Sequence, residues 1–118
     1  MCIASATPGR LVEVALRQTG IRGYFDFILT PDDYPKGKQD PEIFHEALRR
    51  FQSTPEETAL FEDAYYSIKT AKVLGFYIVG VEDYFEARHQ DKIMSLSDEY
   101  ITEEQGFELQ VQKFCVLR

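Results

Sequence analysis

Cysteine is scarce: the 118 residues hold only Cys2 and Cys115, at opposite ends and without metal-ligand spacing. Two are too few for a disulfide framework, and a reduced cytoplasm is the expected compartment. Basic residues are in the minority, 13 Lys plus Arg against 20 Asp plus Glu, for a formal net charge of −7. That balance argues against a nucleic-acid backbone or an anionic membrane as the main partner, and leaves room for a local basic pocket. No apolar run approaches the length of a membrane span. The opening apolar run stops at Ala4 without a basic leader, so no signal peptide is expected. Repeats, low-complexity tracts and linkers are also lacking, which points to one domain over residues 1–118. With 44% hydrophobic and 28% charged residues the chain is no candidate for disorder. A chain of this length buries roughly two thirds of the surface it exposes unfolded. Its start is unusual: Met1-Cys2-Ile3-Ala4 enters an apolar strand with no polar lead-in, where termini ordinarily fray.

What is present alternates between short apolar runs and helical periodicity. Met1 to Ala4 reads as a buried strand. Thr7 suits an N-cap and Pro8 the first position of a helix carrying Leu11, Val12, Ala15, Leu16 and Thr19, stopped at Gly20. Phe25 to Leu29 is a second strand, and Thr30 to Gln39 a loop. Pro41 opens a helix with Ile43, Phe44, Ala47, Leu48 and Phe51 on one face. Thr54-Pro55-Glu56-Glu57 has the form of a capping box. Ala59 to Phe61 is a third strand, and Ile68, Ala71 and Leu74 mark a helix closed at Gly75. Phe76 to Val81 is a fourth strand. A helix over about Tyr84 to Met94 and a short strand at Glu99 to Thr102 follow. The tail from Phe107 to Arg118 fits either a strand or a helix. This order predicts an α/β fold, a Rossmann-like doubly wound parallel sheet with helices on both faces.

In such sheets ligands bind beyond the carboxyl ends of the strands. That rule selects Ser5 to Pro8, the Lys38 loop and Glu62-Asp63. Ser5, Ala6 and Thr7 offer hydroxyls and free N–H groups at a helix start, where the dipole favours an anion such as phosphate. Taken alone, a cap at Thr7 and a turn at Ser5 account for them as well. Lys38 precedes a helix and can neutralise charge on a transferring phosphoryl group, although solvated loop lysines are common. Glu62-Asp63 is the sharper signal. Adjacent carboxylates at a strand end suit Mg²⁺ with its preference for hard oxygen ligands, a reading set ahead of simple helix capping. His45 and His89 read as surface groups, Tyr65, Tyr66 and Phe107 as packing.

Together the three places resemble the haloacid dehalogenase (HAD) superfamily of phosphatases and mutases, in its beta-phosphoglucomutase-like branch. Ile3-Ala4-Ser5-Ala6-Thr7 is similar to its second motif, a strand ending in a phosphate-holding hydroxyl. Gly37-Lys38-Gln39-Asp40-Pro41-Glu42-Ile43-Phe44 is similar to the third, with Lys38 at the lysine position. Leu60-Phe61-Glu62-Asp63-Ala64 and the helix after it are similar to the fourth. The resemblance covers roughly residues 1–102 and implies a Mg²⁺-dependent phosphohydrolase or phosphomutase acting on a small phosphorylated metabolite. It implies that Ser5, Ala6, Thr7 and Lys38 hold the phosphate, with Lys38 acting in catalysis, and that Asp63, assisted by Glu62, holds the metal. Ala64 and Ser67 stand where the family often has Ser and Gly, changes expected to alter helix entry more than metal binding.

The resemblance also defines what is missing. The family's nucleophile belongs to an Asp-x-Asp motif on its first strand, and no Asp-x-Asp occurs in the 118 residues. The family's cap is absent too. That first strand lies at the centre of the sheet, between the strands at Met1 and Ala59. Without it a gap with two open apolar edges is expected, or else direct pairing of the two strands in a four-stranded core. The chain therefore reads as the C-terminal portion of a longer protein, itself without turnover. Its partner would be the missing N-terminal segment, another strand, or a second copy docked through the open sheet edge. The competing reading is a non-catalytic phosphate-binding or interaction module. A receiver domain ranks last, because its acidic residues would belong on the first strand.

Overall fold

The computed structural model describes residues 1–102 and the backbone of 115–117. Five strands alternate with four helices as the periodicity predicts. Strand β1 spans Cys2–Ala4, helix α1 Gly9–Gln18, β2 Phe27–Leu29 and α2 Glu42–Phe51. Strand β3 spans Thr58–Glu62, α3 Tyr65–Leu74, β4 Tyr77–Val81, α4 Gln90–Leu96 and β5 Glu99–Ile101. A last strand, β6, spans Cys115–Leu117. Single 3₁₀ turns at Arg22–Tyr24, Gly37–Gln39 and Pro55–Glu57 link these elements. The third of them carries the expected capping box of Thr54 and Glu57. The region expected to be one helix from Tyr84 is divided, with a 3₁₀ stretch at Tyr84–His89 before α4.

All strands are parallel, in the order β2-β1-β6-β3-β4-β5. The centre of the sheet differs from expectation. No gap separates β1 from β3 and the two do not close up on each other. Instead β6 lies between them, paired Cys2 to Leu117 on one side and Thr58, Ala59 and Leu60 to Cys115, Val116 and Leu117 on the other. Of the two forms open to the tail, residues 115–117 take the strand. Residues 103–114 and 118, including Phe107, lie outside the described residues.

Helices cover both faces. Cys2, Ala4, Leu60 and Ile78 point to one face and pack with Ile43, Phe44 and Ala47 of α2, Ile68 and Ala71 of α3 and Ile93 of α4. Alternation turns Ile3, Phe61 and Val79 to the opposite face, on the side of α1 and its Leu16. Helix α1 buries only Val12 and Leu16; Leu11, expected on the same apolar face, is exposed, as is Val14 outside it. Tyr65 packs against the core as expected, whereas Tyr66 is exposed. His45 is exposed, and His89 is half-buried, 2.8 Å from Glu86 and facing the Tyr65 ring.

Candidate active site

Beyond the carboxyl ends of β1 and β3 lies a cavity of about 410 Å³. Its polar rim is Ser5, Ala6, Lys38, Glu62 and Asp63, and Ile3, Leu16, Ile21, Phe25 and Phe61 are among its apolar walls. Residues 24 to 58 positions apart in the chain therefore meet because three strands and loops end on one edge of the sheet. Thr7 is exposed and not among the lining residues.

The turn after β1 is fixed by its own atoms. Ser5 Oγ accepts from the Thr7 backbone N–H at 3.0 Å, and the Ser5 N–H donates to the Leu29 carbonyl at 3.0 Å. The expected cap at Thr7 is not the observed one. Helix α1 begins one residue later, with Pro8 at the N-cap position and no side-chain cap there. Asp32, from the loop after β2, takes that role from across the fold: its Oδ2 accepts from the Gly9 N–H at 3.0 Å. A Cβ on Gly9 would sit 2.9 Å from this oxygen, so glycine is what permits the approach. A carboxylate thus already answers part of the positive field at the start of α1.

Glu62 is the best-held group in the site. It ends β3 with 4% of its surface exposed. Its Oε1 accepts from the Asp63 and Ala64 N–H groups at 3.0 and 3.1 Å. Its Oε2 accepts from Ser67 Oγ at 2.8 Å and from the Lys38 ammonium, with which it forms a buried ion pair. Burial pushes the Glu62 carboxyl up, but the Lys38 charge and these donors outweigh it and carry it below its ordinary value. Four donors on two oxygens leave Glu62 few lone pairs for anything else. The helix-capping alternative therefore applies to Glu62, whose carboxylate takes the N–H groups leading into α3. Ala64 is the N-cap residue and supplies no side-chain bond.

Asp63 is the complementary case. Half-buried, it is pushed up to about 6 by burial, by its contact with the Glu62 carboxylate and by the charges of Glu62 and Asp83. One carboxylate of the pair is held ionised and the other is made reluctant to ionise, which is how like charges share a small space. The donor set fits Mg²⁺, which takes one or two carboxylates and fills its shell with water and phosphate oxygens. A cation at Asp63 would offset the repulsion that raises it. Among the described residues, however, no three His, Cys, Asp or Glu side chains cluster for a closed protein cage.

Ser67 was legible only as a departure from the family pattern. Its position one turn into α3 brings its hydroxyl back to Glu62, so it acts on the acidic pair as well as on helix entry. Asp32 carried no local signal, since its partner Gly9 is 23 residues away.

A parallel α/β sheet with a hydroxyl-bearing turn, a lysine and an acidic pair beyond the carboxyl ends of its strands has the form of a ligand-binding doubly wound fold. Residues 1–75 match the family model of the haloacid dehalogenase-like hydrolases, and the chain belongs to that family. It is 35% identical over 75 residues to a phosphorylated carbohydrates phosphatase of Thermotoga maritima, covering 64% of this chain and 35% of that protein. It is 35% identical over 79 residues to a beta-phosphoglucomutase of Bacillus subtilis, covering 67% of this chain and 35% of the relative. The crystal structure of a HAD phosphatase from Thermococcus onnurineus superposes with a TM-score of 0.70 at 25% identity, over 85% of this chain and 44% of that one. The chain spans about a third of the length of the curated relatives it matches. No helix among the described residues is long and apolar enough to cross a membrane.

Proposed function

We propose that this chain supplies the phosphate- and metal-holding part of a phosphatase or phosphomutase site for a small phosphorylated metabolite. The observation that carries the reading is the convergence of Ser5, Ala6, Lys38 and Asp63 on one cavity at the carboxyl edge of β1 and β3. In this reading the Ser5 hydroxyl and the Ala6 N–H group donate to phosphate oxygens, while the Thr7 N–H is taken by Ser5 Oγ. Lys38, kept at the cavity by Glu62, offsets the charge that develops on the transferring group. Glu62 is then a positioning residue. Asp63 is the side chain that would hold Mg²⁺, with Glu62 assisting through Lys38 and through the turn it braces. Bound there, Mg²⁺ supplies neutralisation of the phosphoryl oxygens. The apolar walls from Leu16, Ile21, Phe25 and Phe61 exclude water from one side of the site.

The attacking carboxylate is not in these 118 residues, which contain no Asp-x-Asp. The chain by itself is expected to show no turnover of p-nitrophenyl phosphate. Mixed with a separately made N-terminal half carrying an Asp-x-Asp strand, it is expected to hydrolyse that substrate in a magnesium-dependent way. Turnover by residues 1–118 alone, or none from the mixture, would overturn the reading. The same lack of a nucleophile favours a second reading, a module that binds phosphorylated ligands without chemistry. Saturable binding of a sugar phosphate, abolished in Ser5→Ala, together with an inactive mixture, would establish it instead.

A further inference from the structure

In a chain with a net charge of −7, carboxylates outnumber cations, and most lysines and arginines among the described residues form an ion pair with Asp or Glu. Arg10, Lys69, Arg88 and Lys92 do not. All of these but Arg10 belong to one place, formed by the first two turns of α3, the 3₁₀ stretch Tyr84–His89 and the start of α4. That place borders the cavity. Tyr65 follows Asp63 by two residues and the 3₁₀ stretch begins three residues after Val81, and Asp63 and Val81 both line the cavity. The cavity's own lysine is compensated, since Lys38 forms a buried ion pair with Glu62. An approaching dianion therefore meets uncompensated positive charge first at this rim.

The half-buried Tyr65 ring organises the rim. Lys69 Nζ, from the next turn of α3, and Lys92 Nζ, from α4, each lie 5.5 Å from its centroid. His89 lies 5.0 Å from it with the two rings inclined at 33°, and its Nδ1 is 2.8 Å from Glu86. Glu86 thus pairs with His89 and with neither lysine. On a 3₁₀ stretch side chains three apart eclipse, which puts Glu86 and His89 together on the half-buried side. The same spacing puts the exposed Arg88 on the side of Phe85, whose surface is 86% exposed. A cation gains little over an exposed aromatic face, and two ammoniums drawn to one ring repel each other. An anion shared between them turns that repulsion into attraction.

We infer that Lys69, Arg88 and Lys92 form an anion-docking site for a phosphate monoester at the rim of the cavity, with the Phe85 ring beside it for the ester's apolar body. Lysine suits a loose hold, as a compact charge on a flexible stem, and arginine adds a planar fork that matches phosphate oxygens. The acidic chain as a whole repels a dianion, and a local cationic patch reverses that field within about 10 Å of the surface at 0.1 M salt. Only the onward step rests on the proposed function: the ester held at the rim is the one the cavity takes next.

The test titrates the full 118-residue chain with phenyl phosphate and, separately, with inorganic phosphate, and follows its amide NMR signals. Saturable shifts are expected at residues 65–69 and 85–92, at lower concentration for phenyl phosphate than for inorganic phosphate. Phe85→Ala should remove that difference. Lys69→Gln combined with Lys92→Gln should weaken the rim titration by about fivefold or more. Lys36→Gln removes a lysine that Asp40 already compensates and should leave it unchanged. In about 1 M salt, where screening acts within about 3 Å, the rim shifts should vanish. All three lysines are exposed, so the variants keep the fold, which the same spectra check. No shifts at the rim, shifts indifferent to the double change, or an equal loss in Lys36→Gln would overturn the inference. Equal affinity for the two ligands would overturn the part assigned to Phe85. Shifts at Ser5, Ala6 and Lys38 without any at the rim would sink the docking site and leave the proposed function standing. Rim shifts without those at the cavity would do the reverse.

Discussion

Lys38 and Glu62 show how much one ion pair can hold in place. Both are nearly excluded from solvent, and removing one leaves the other as an uncompensated buried charge. Lys38→Ala should cost about 3–5 kcal/mol in a denaturation experiment, with part recovered on adding Glu62→Gln. Because the Glu62 carboxyl lies below its ordinary value when folded, its stabilising contribution is complete above the unfolded value of 4.5. It is lost as pH falls through the folded one. In Lys38→Ala the acid limb of the stability profile should therefore move to higher pH. Asp63 behaves oppositely. Its folded value of about 6 lies above the ordinary 3.8, so stability falls as pH rises from 3.8 through 6 and is flat beyond. Asp63→Asn should raise Tm at pH 8 by a few degrees and change it little at pH 3.5. Magnesium tests the same carboxylate: at ten times its Kd it should stabilise the wild type by about 1.4 kcal/mol. That effect should disappear in Asp63→Asn and weaken below pH 6. The residue types at these positions were legible in the sequence. The division of labour between Glu62 and Asp63 was not, because it depends on Lys38 and Ser67 arriving from other elements.

At the level of elements, the stops are where local chemistry and the fold agree or disagree. Helix α3 ends at Gly75 with φ of 96°, the left-handed position that glycine adopts without steric cost. Helix α2 ends at Gln52 in the same region, φ 53°, and Gln52 is the one non-glycine residue with positive φ among the described residues. An L side chain there costs about 1–2 kcal/mol. Gln52→Gly should thus stabilise the protein by about 1 kcal/mol. Gly75→Ala should destabilise it by at least as much, since its Cβ would also come to 3.2 Å from Glu56 Oε1. Thermal unfolding of the two variants would show shifts of opposite sign. Both helices were readable from their apolar spacing, and Gly75 from its residue type. Gln52 was not, since nothing in its side chain advertises the left-handed turn. The same limit explains the start of α1: Thr7-Pro8 has the local form of a cap, yet the carboxylate that reaches Gly9 comes from Asp32 beyond β2. Local pattern finds the neighbourhood of a helix end, and tertiary contacts choose the donor.

At the level of the whole molecule, the sheet shows why its middle was the hardest part to read. Strands β1 to β5 each sit beside chemistry legible from their own segment, but a central position is defined by two neighbours far apart in the chain. Phe107 to Arg118 carries strand and helix patterns at once, and only the demand of the β1 and β3 edges selects strand for residues 115–117. Two buried strands facing each other across one missing ladder expose main-chain donors and acceptors on both sides, the arrangement that drives edge-to-edge association. Removing residues 115–118 should therefore do more than lower stability. With the slot uncovered, Cys2–Ala4 and Thr58–Glu62 become the most adhesive surface of the molecule, and the shortened chain should elute as dimers and larger species where the full chain elutes as a smaller one. Adding a peptide of residues 110–117 in trans should reverse the association, because a parallel strand in the slot satisfies the same edges. If the shortened chain elutes at the same oligomeric state as the full one and exchanges amide hydrogen at Cys2–Ala4 no faster, then β6 contributes little to closing the sheet. The cohesion between β1 and β3 must in that case come from the helices packed across them.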